Sequence, residues 1–381
     1  MPQAPRKILI SAGEASGEFY AAELIPLLRQ FWPECDFFGA AGPKLRTAGV
    51  RAVIRSEDLA VVGLVEVLGH LPRIWRRFQT LIRAAKEEKP DLAILTDSPD
   101  FNFRVARKMK RLGVPVIYLV APQVWAWRQG RVKTMRKIID HLLCIFPFEE
   151  AWFEGRGMPV TYIGHPLSNR VRPALTKDEF FRKHNIPPDR PLVAVLPGSR
   201  RSEAMRHLPE LIRAAELLHA QTPSTFLLPA SPTCGSGFFA PALTGSKVRV
   251  IEGEAWDTMA HCDVAWAASG TVTVEAALLG APMVTFYKVK QLSWEIGKHL
   301  VKVPFFCMVN LIAEKKVVPE LMQEAMTGAA LAAEAGTLLR EPAIRAKMKA
   351  GLDEVAAKLR GPGDAIDRAA TVIKTFWEAR N

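Results

Sequence analysis

The chain lacks the markers of a disulfide scaffold, a metalloenzyme and a P-loop enzyme. Its five cysteines (Cys35, Cys144, Cys234, Cys262, Cys307) are scattered, odd in number and without a Cys-x-x-Cys pair. That usage fits a reducing cytosol and inert core thiols. The eight histidines form no His-Glu-x-x-His pattern, and none pairs with a cysteine at zinc-ligand spacing, so no metal site and no cofactor are expected. No Gly-Lys-Ser or Gly-Lys-Thr occurs, and the first strand-to-helix turn is not Gly-x-Gly-x-x-Gly, which counts against Walker-type ATPases and nicotinamide dehydrogenases together. A Gly-x-Ser-x-Gly elbow for an acyl nucleophile is missing too. Residues 1–6 lead into a strand without the apolar stretch of a signal peptide, so a cytoplasmic location is expected. The longest apolar stretch, residues 264–287, carries Glu275 alone as a charge, but Ser269-Gly270-Thr271 and Gly280-Ala281-Pro282 cut it into strand, turn, helix, turn and strand. It reads as buried parallel sheet and not as a membrane span.

What is present is a chain of 381 residues, 49% hydrophobic, long enough for two cores. Lys and Arg number 51 against 39 acids, a net charge of +12, which calls for an anionic partner: nucleotide, nucleic acid or acidic lipid. The basic residues are dispersed and no nucleic-acid motif accompanies them, so nucleic acid is the least suited of the three.

Strand-like runs at residues 7–12, 92–96, 114–120, 141–144 and 161–164 alternate with helical patterns at 19–31 and 101–112. The polar, proline-bearing segment 165–190 interrupts them. A second series follows at 192–196, 225–228, 248–251, 264–267 and 283–287, and from Ala329 onward the pattern is helical only. The alternation predicts an α/β protein of two Rossmann-like domains, 1–170 and 171–381, with the final helices bracing the second and able to reach back to the first.

Each domain opens on a turn suited to anions. Residues 10–18 (Ile-Ser-Ala-Gly-Glu-Ala-Ser-Gly-Glu) place Gly13, Glu14, Ser16 and Gly17 between a strand and a helix, and residues 196–200 (Leu-Pro-Gly-Ser-Arg) do the same with Gly198, Ser199 and Arg200. Only the second turn carries a cation, which suits a phosphate donor; the carboxylates of the first, at Glu14 and Glu18, suit an uncharged hydroxyl. Asp97 and Asp100 lie in Thr96-Asp97-Ser98-Pro99-Asp100-Phe101-Asn102, just past a strand end, where ligands of open α/β sheets bind. One of these acids is a candidate general base, while Asp100 or Ser98 is placed to cap the helix that follows. Gln123, Trp125, Trp127 and Arg128 end another strand, offering apolar bodies with polar handles; core packing accounts for one tryptophan. Ser269, Gly270 and Thr271 give another helix N-terminus, with Glu275 one turn inside and suited to a ribose diol.

Taken together with Phe146-Pro147-Phe148-Glu149 and Gly164-His165-Pro166, these motifs match, in order and spacing over nearly the whole chain, those of another known group. The chain closely resembles the lipid-A-disaccharide synthase family. The resemblance implies a GT-B glycosyltransferase, with two Rossmann-like domains facing across a cleft and the nucleotide sugar mainly on the C-terminal one. It implies transfer of 2,3-diacylglucosamine from its UDP derivative to the 6-hydroxyl of 2,3-diacylglucosamine 1-phosphate, at the inner face of the cytoplasmic membrane of a Gram-negative bacterium. By the same resemblance Asp97 is the candidate base with Asp100 as rival, Arg200 meets the diphosphate, Glu275 the ribose, and Asn310 and Gln323 serve the donor. Asn102, Gln123, Trp125 and Arg128 fall to the acceptor. Glu18, Ser98 and residues 307–309 depart from the family's usual residues without removing a charge the chemistry needs.

The residues alone also allow a UDP-GlcNAc epimerase or another GT-B transferase, and a non-enzymatic nucleotide-binding protein at the membrane. For contact with anionic lipid, residues 59–68 are apolar but for Glu66. The helix after Pro72 sets Ile74, Phe78, Leu81 and Ile82 opposite Arg73, Arg76, Arg77 and Arg83. Core packing explains that apolar face equally well. Oligomeric state is not legible.

Overall fold

A computed structural model describes residues 4–58, 64–291, 294–295, 301, 303–361 and 363–380; the side chains of Ala15, Ser16 and residues 64–71 lie outside the description. The chain divides into two units, Met1–Pro166 with Leu359–Asn381, and Leu167–Lys358.

In the first unit, the order is β1 (Lys7–Ala12), α1 (Ala15–Phe31), β2 (Asp36–Ala41), α2 (Pro43–Thr47), β3 (Arg51–Arg55), α3 (Leu64–Glu88), β4 (Leu92–Thr96) and α4 (Pro99–Arg111). Then come β5 (Val116–Leu119), α5 (Val124–Trp127), α6 (Val132–Ile138), β6 (His141–Cys144), α7 (Pro147–Glu154) and β7 (Val160–Tyr162). The seven strands form one sheet, β3-β2-β1-β4-β5-β6-β7, with every pair parallel. Parallel strands need covered faces, which is why Leu92-Ala93-Ile94-Leu95-Thr96 is buried at every position instead of alternating.

The second unit repeats the plan with α8 (Lys177–Lys183), β8 (Leu192–Leu196), α9 (Arg201–Gln221), β9 (Thr225–Ala230), α10 (Ser236–Leu243), β10 (Val248–Glu252), α11 (Ala255–His261), β11 (Val264–Ala268), α12 (Thr271–Leu278) and β12 (Met283–Tyr287). These are followed by α13 (Met308–Ala313), β13 (Glu320–Met322), α14 (Gly328–Arg340) and α15 (Pro342–Arg360). Its sheet runs β10-β9-β8-β11-β12-β13. In each sheet the strand order reverses beside the first strand, between β1 and β4 and between β8 and β11. Connections there leave in opposite directions and open a crevice at the carboxyl ends. The turns at Gly13 and Asp97 occupy the first crevice, those at Gly198 and Ser269 the second.

Three strands escape the apolar-run reading. β2 contains Gly39, whose φ of 149° puts it where a Cβ would strike the Ile10 carbonyl; β3 is flanked by Arg51 and Arg55; β13 has three residues. The expected division at 170/171 also needs correcting. The chain crosses at 166/167 and its last 23 residues rejoin the first unit, because α16 (Ala365–Glu378) lays Ile366, Ala369, Ala370, Ile373 and Trp377 inward. Trp377 meets Trp32, at the end of α1, edge to face at 6.5 Å.

The amphipathic stretch after Pro72 belongs to α3, and its apolar side is core: Phe78, Leu81 and Ile82 are buried. Arg73 and Arg77 pair with Asp58 at 2.6 and 2.8 Å. An interfacial role for this face is thereby excluded for those three apolar residues, while residues 59–63 and the side chains of 64–68 lie outside the described residues. Truncating a buried aromatic costs about 3 kcal/mol. Trp377→Ala should therefore lower the unfolding free energy by that order, and a value unchanged within about 0.5 kcal/mol would show that α16 does not hold the first unit together.

Candidate functional site

β4 ends by turning sharply into α4, and the turn holds two consecutive non-glycine residues in left-handed backbone, Asp97 (φ 57°) and Ser98 (φ 38°). Such conformations cost on the order of 1–2 kcal/mol each unless something holds them. Asn102 does. Buried one turn into α4, its Nδ2 donates to the carbonyls of Thr96 (2.8 Å), Asp97 (2.9 Å) and Ser11 (3.3 Å), and its Oδ1 accepts from the Ser11 hydroxyl at 2.7 Å. The Tyr118 hydroxyl donates to the Asp97 carbonyl at 2.6 Å from the neighbouring strand. Gly13 and Gly17 complete the arrangement by what they lack. A Cβ on Gly13 would overlap Ser98, and one on Gly17 would overlap the Asp97 carboxylate.

The Asp97 side chain is the product of this geometry. Its Oδ2 is buried with no hydrogen-bond partner among the described residues, and the Thr96 hydroxyl beside it is equally unmatched. Burial, seconded by the negative charge of Glu14 and opposed by the Gly17 N–H, raises its pKa to about 7. A carboxyl poised near neutrality at a sheet switch point is suited to accept a proton from a ligand hydroxyl. Asp100 differs. Its side chain is 75% exposed and pairs with Arg131 at 2.6 Å and Arg128 at 3.8 Å. The capping expectation fails for both candidates: Ser98 holds the N-cap position of α4 but its side chain makes no capping bond, and Asp100 pairs with the arginines instead.

Other expected acceptor contacts are redistributed. Asn102 and Trp125 are buried with their polar atoms engaged, so neither is available to an acceptor. The Trp125 Nε1–H donates at 2.8 Å to Glu149, which also accepts from the Ile145 and Phe146 N–H groups. Burial raises the Glu149 pKa to about 7 despite those bonds. Glu18 turns away from the first turn to accept from the N–H groups of Lys44 and Leu45, capping α2. Glu14, Gln123 and Arg128 are exposed, the last over the Trp127 ring at 3.9 Å; the Ser16 side chain lies outside the described residues.

The second unit contains a cavity of about 720 Å³ lined by Gly198, Ser199, Arg200, Ser269, Gly270, Thr271 and Glu275, seven of the nine expected donor residues. Its size is in the range of a small-molecule site. Gly198 adopts φ 113°, which an L side chain rarely accepts, and a Cβ there would lie 2.8 Å from Glu203. The turn is fixed from behind by buried His207, whose ring nitrogens engage the Pro197 carbonyl (2.8 Å) and the Lys288 backbone N–H (3.0 Å). Burial depresses the His207 pKa, so the ring bridges these groups while neutral. Arg200 stands exposed at the N-cap of α9, and α12 begins at Thr271, so two helix N-termini with a guanidinium converge on the cavity. The Ser269 hydroxyl donates to the Phe306 carbonyl at 2.9 Å, leaving its turn to offer backbone. Glu275 accepts from the Trp256 indole N–H at 3.1 Å, and burial raises its pKa.

Asn310 and Gln323 are the corrections here, for neither lines the cavity. Asn310 Oδ1 accepts from the Val317 and Val318 N–H groups, while its Nδ2 donates to the Val318 carbonyl and Glu320. Gln323 accepts from Val289 N–H at 2.6 Å and so continues the edge of β12. Sequence reading also missed Tyr118, Trp256 and His207. Each matters through a contact distant in the chain, and no local pattern marks it.

Two parallel-sheet α/β units, each with its turns gathered at the switch point, make up the GT-B fold. Similar solved structures share this fold: a glycotransferase of kitacinnamycin (TM-score 0.66, 16% identity, covering 98% of this chain and 99% of that one) and a UDP-N-acetylglucosamine 2-epimerase from Listeria monocytogenes (0.64, 15%, 99% and 98%). The family model for lipid-A-disaccharide synthetase matches residues 8–369. A lipid-A-disaccharide synthase of Solibacter usitatus is 59% identical over 374 residues, 98% of each chain, and one of Geobacter sulfurreducens is 42% identical over 370 residues, 96% of each. The chain belongs to the lipid-A-disaccharide synthetase family and is a UDP-sugar glycosyltransferase of lipid A biosynthesis.

The raised pKa of Asp97 has a thermodynamic signature. The folded state keeps the proton between the ordinary carboxyl pKa and about 7, so the contribution is favourable below that ordinary value and is lost as pH rises through 7. Asp97→Asn should accordingly be more stable than the parent at pH 8, by on the order of 4 kcal/mol, and no more stable at pH 4. Thermal unfolding at the two pH values measures this, and an equal effect at both would place the carboxyl in water.

Proposed function

We propose that the enzyme transfers 2,3-diacylglucosamine from its UDP derivative to the 6-hydroxyl of 2,3-diacylglucosamine 1-phosphate with inversion at the anomeric carbon. The products are the β-1,6-linked disaccharide 1-phosphate and UDP. The observation that carries the reading is the buried, unpartnered carboxylate oxygen of Asp97 at the first switch point. In the ionised form it accepts the acceptor's hydroxyl proton as the oxygen attacks the anomeric carbon and the bond from that carbon to the diphosphate breaks. The negative charge released on UDP is met by Arg200 and by the N–H groups at the starts of α9 and α12, while Glu275 accepts from the ribose hydroxyls. Asp100, held between Arg128 and Arg131, is an acceptor-side ligand and not the base, and Gln123 and Arg128, both exposed, are acceptor-side ligands with it.

The reading places the enzyme at the inner face of the cytoplasmic membrane, where its diacylated substrates reside and where anionic lipid meets a chain of net charge +12. Among the described residues no helix is long and apolar enough to cross a membrane, and peripheral contact accords with that. Purified protein supplied with acylated and unacylated UDP-glucosamine distinguishes this activity from an epimerase or another transferase: disaccharide and UDP should form only from the acylated pair.

Two further outcomes are expected. Asp97→Asn should lower turnover about 10²- to 10⁴-fold with UDP affinity retained, and the parent's kcat/KM should rise with pH through about 7 as the carboxyl ionises. Collapse in Asp100→Asn with near-normal turnover in Asp97→Asn would reverse the assignment. Arg200→Ala should weaken UDP binding and slow transfer without rescue by added magnesium, since guanidinium and helix N-termini supply the positive charge in this account; restoration by magnesium would sink it.

A further inference from the structure

The outer layer of the first unit carries a second anion-suited pocket that the reaction does not use. Where the last turns of α4 and α6 come together, Arg107, Lys110, Arg111, Thr134, Lys137 and Ile138 line a surface cavity of about 540 Å³. The sequence builds it by periodicity. In α4, Asn102, Val105, Ala106 and Met109 face the sheet, and in α6 Val132, Met135 and Ile138 do, leaving Arg107, Arg111 and Lys137 outward and exposed. Among the described residues, no carboxylate lines the cavity. Lys110 pairs with Asp140 at 2.7 Å, but the other Asp140 oxygen accepts from the Val116 N–H, and Arg380 approaches Asp140 at 3.7 Å. Among the described residues, no acid pairs with Arg107, Arg111 or Lys137.

Cations at helix C-termini complement the backbone dipole, and that accounts for one or two of these residues. It does not account for three unpaired cations and a fourth, shared one around a single concavity with a hydroxyl, since like charges so gathered repel one another unless an anion joins them. The same outer layer continues onto α3, which packs against α4 and bears exposed Arg76 and Arg83, with Trp75 51% exposed between its neighbours Ile74 and Arg76. Exposed arginines beside an interfacial tryptophan are what an anionic bilayer surface receives.

We propose that the pocket between α4 and α6 binds a phosphate group, and that the phosphate is the headgroup of an anionic membrane phospholipid. The guanidinium groups of Arg107 and Arg111 and the ammonium of Lys137 grip the phosphodiester oxygens, and Thr134 donates its hydroxyl. This deepens the membrane reading above by naming a lipid site away from the substrate turns. It also replaces the apolar face of α3 as the described surface that meets lipid.

The test is sedimentation with vesicles of phosphatidylglycerol in phosphatidylcholine, and of phosphatidylcholine alone. It compares the parent with the triple variant Arg107→Ala, Arg111→Ala, Lys137→Ala and a control of equal charge loss in the second unit, Lys247→Ala, Arg249→Ala, Lys349→Ala. Each cation near a bilayer contributes about fivefold in affinity, so the pocket variant should bind anionic vesicles about 100-fold more weakly, with the control close to the parent and unfolding midpoints unchanged. Equal losses in the two triple variants would reduce the effect to net charge and overturn the pocket. A parent that ignores anionic vesicles would overturn the membrane reading itself. If calorimetry shows inorganic phosphate or glycerol phosphate binding the parent as tightly as vesicles do, and the pocket variant losing it, the ligand is a free phosphate and the headgroup assignment is wrong.

Discussion

The left-handed turn at Asp97 and Ser98 is the constraint on which the first unit's chemistry rests. A strand that simply relaxed into α4 would swing the carboxylate into water, where its pKa would fall back to the ordinary range. The strained path instead tucks it against Gly17, and the strain is offset because Asn102 and Tyr118 supply three of the hydrogen bonds that the carbonyls of Thr96 and Asp97 would otherwise lack. The price is stability at alkaline pH. Burial of a group that ionises near 7 makes the folded state weaker as the carboxyl ionises, a trade common at active sites.

The second unit solves a related problem with different parts. Its turn also requires a positive φ, and Gly198 supplies it without strain. A neutral histidine then replaces the buried amide as the fastener: His207 bridges the turn and the exit of β12, so the backbone of the Gly198 turn is tied to the sheet at two points. Because the ring is neutral, fixed positive charge at the cavity comes from Arg200 and the helix ends. The two units thus share architecture and divide electrostatics, one holding a buried carboxyl with its pKa raised to about 7, the other a guanidinium and two helix N-termini around a cavity.

Legibility in the sequence followed burial. β1, β4, β6, β8 and β12 were readable to the residue because each is an apolar run cut by glycine, proline or a polar turn, as central parallel strands must be. β2, β3 and β13 were not, since a glycine, flanking arginines or sheer shortness removes the run. The return of α16 to the first unit was readable only as a possibility, because an amphipathic helix states that it has a buried face and not what it is buried against. At the site, the backbone turns and the charged candidates were legible from position at strand ends. The fate of the amides was not. Asn102, Asn310 and Gln323 look in sequence like ligand-binding groups, and in the fold all three are fasteners.

That confusion points to a physical criterion for separating them. A polar side chain that positions backbone has its lone pairs and protons already engaged: Asn102 by three carbonyls and a hydroxyl, Glu18 by the start of α2, Glu149 by an indole and two N–H groups, Glu320 by Phe306, Cys307 and Asn310. Each is strongly buried or turned inward, and removing any of them would leave donors or acceptors stranded, so their loss would register as instability. Asp97 is equally a polar group set among apolar strands, yet one oxygen has no partner, and a fold under selection for stability alone would have matched it or replaced it. The cost is tolerated only where a ligand supplies the missing donor. The same reasoning applies at the surface to Arg107, Arg111 and Lys137, where the unmatched quantity is charge: water can screen one lone cation cheaply, but several converging on one concavity define the shape and sign of what is to sit there.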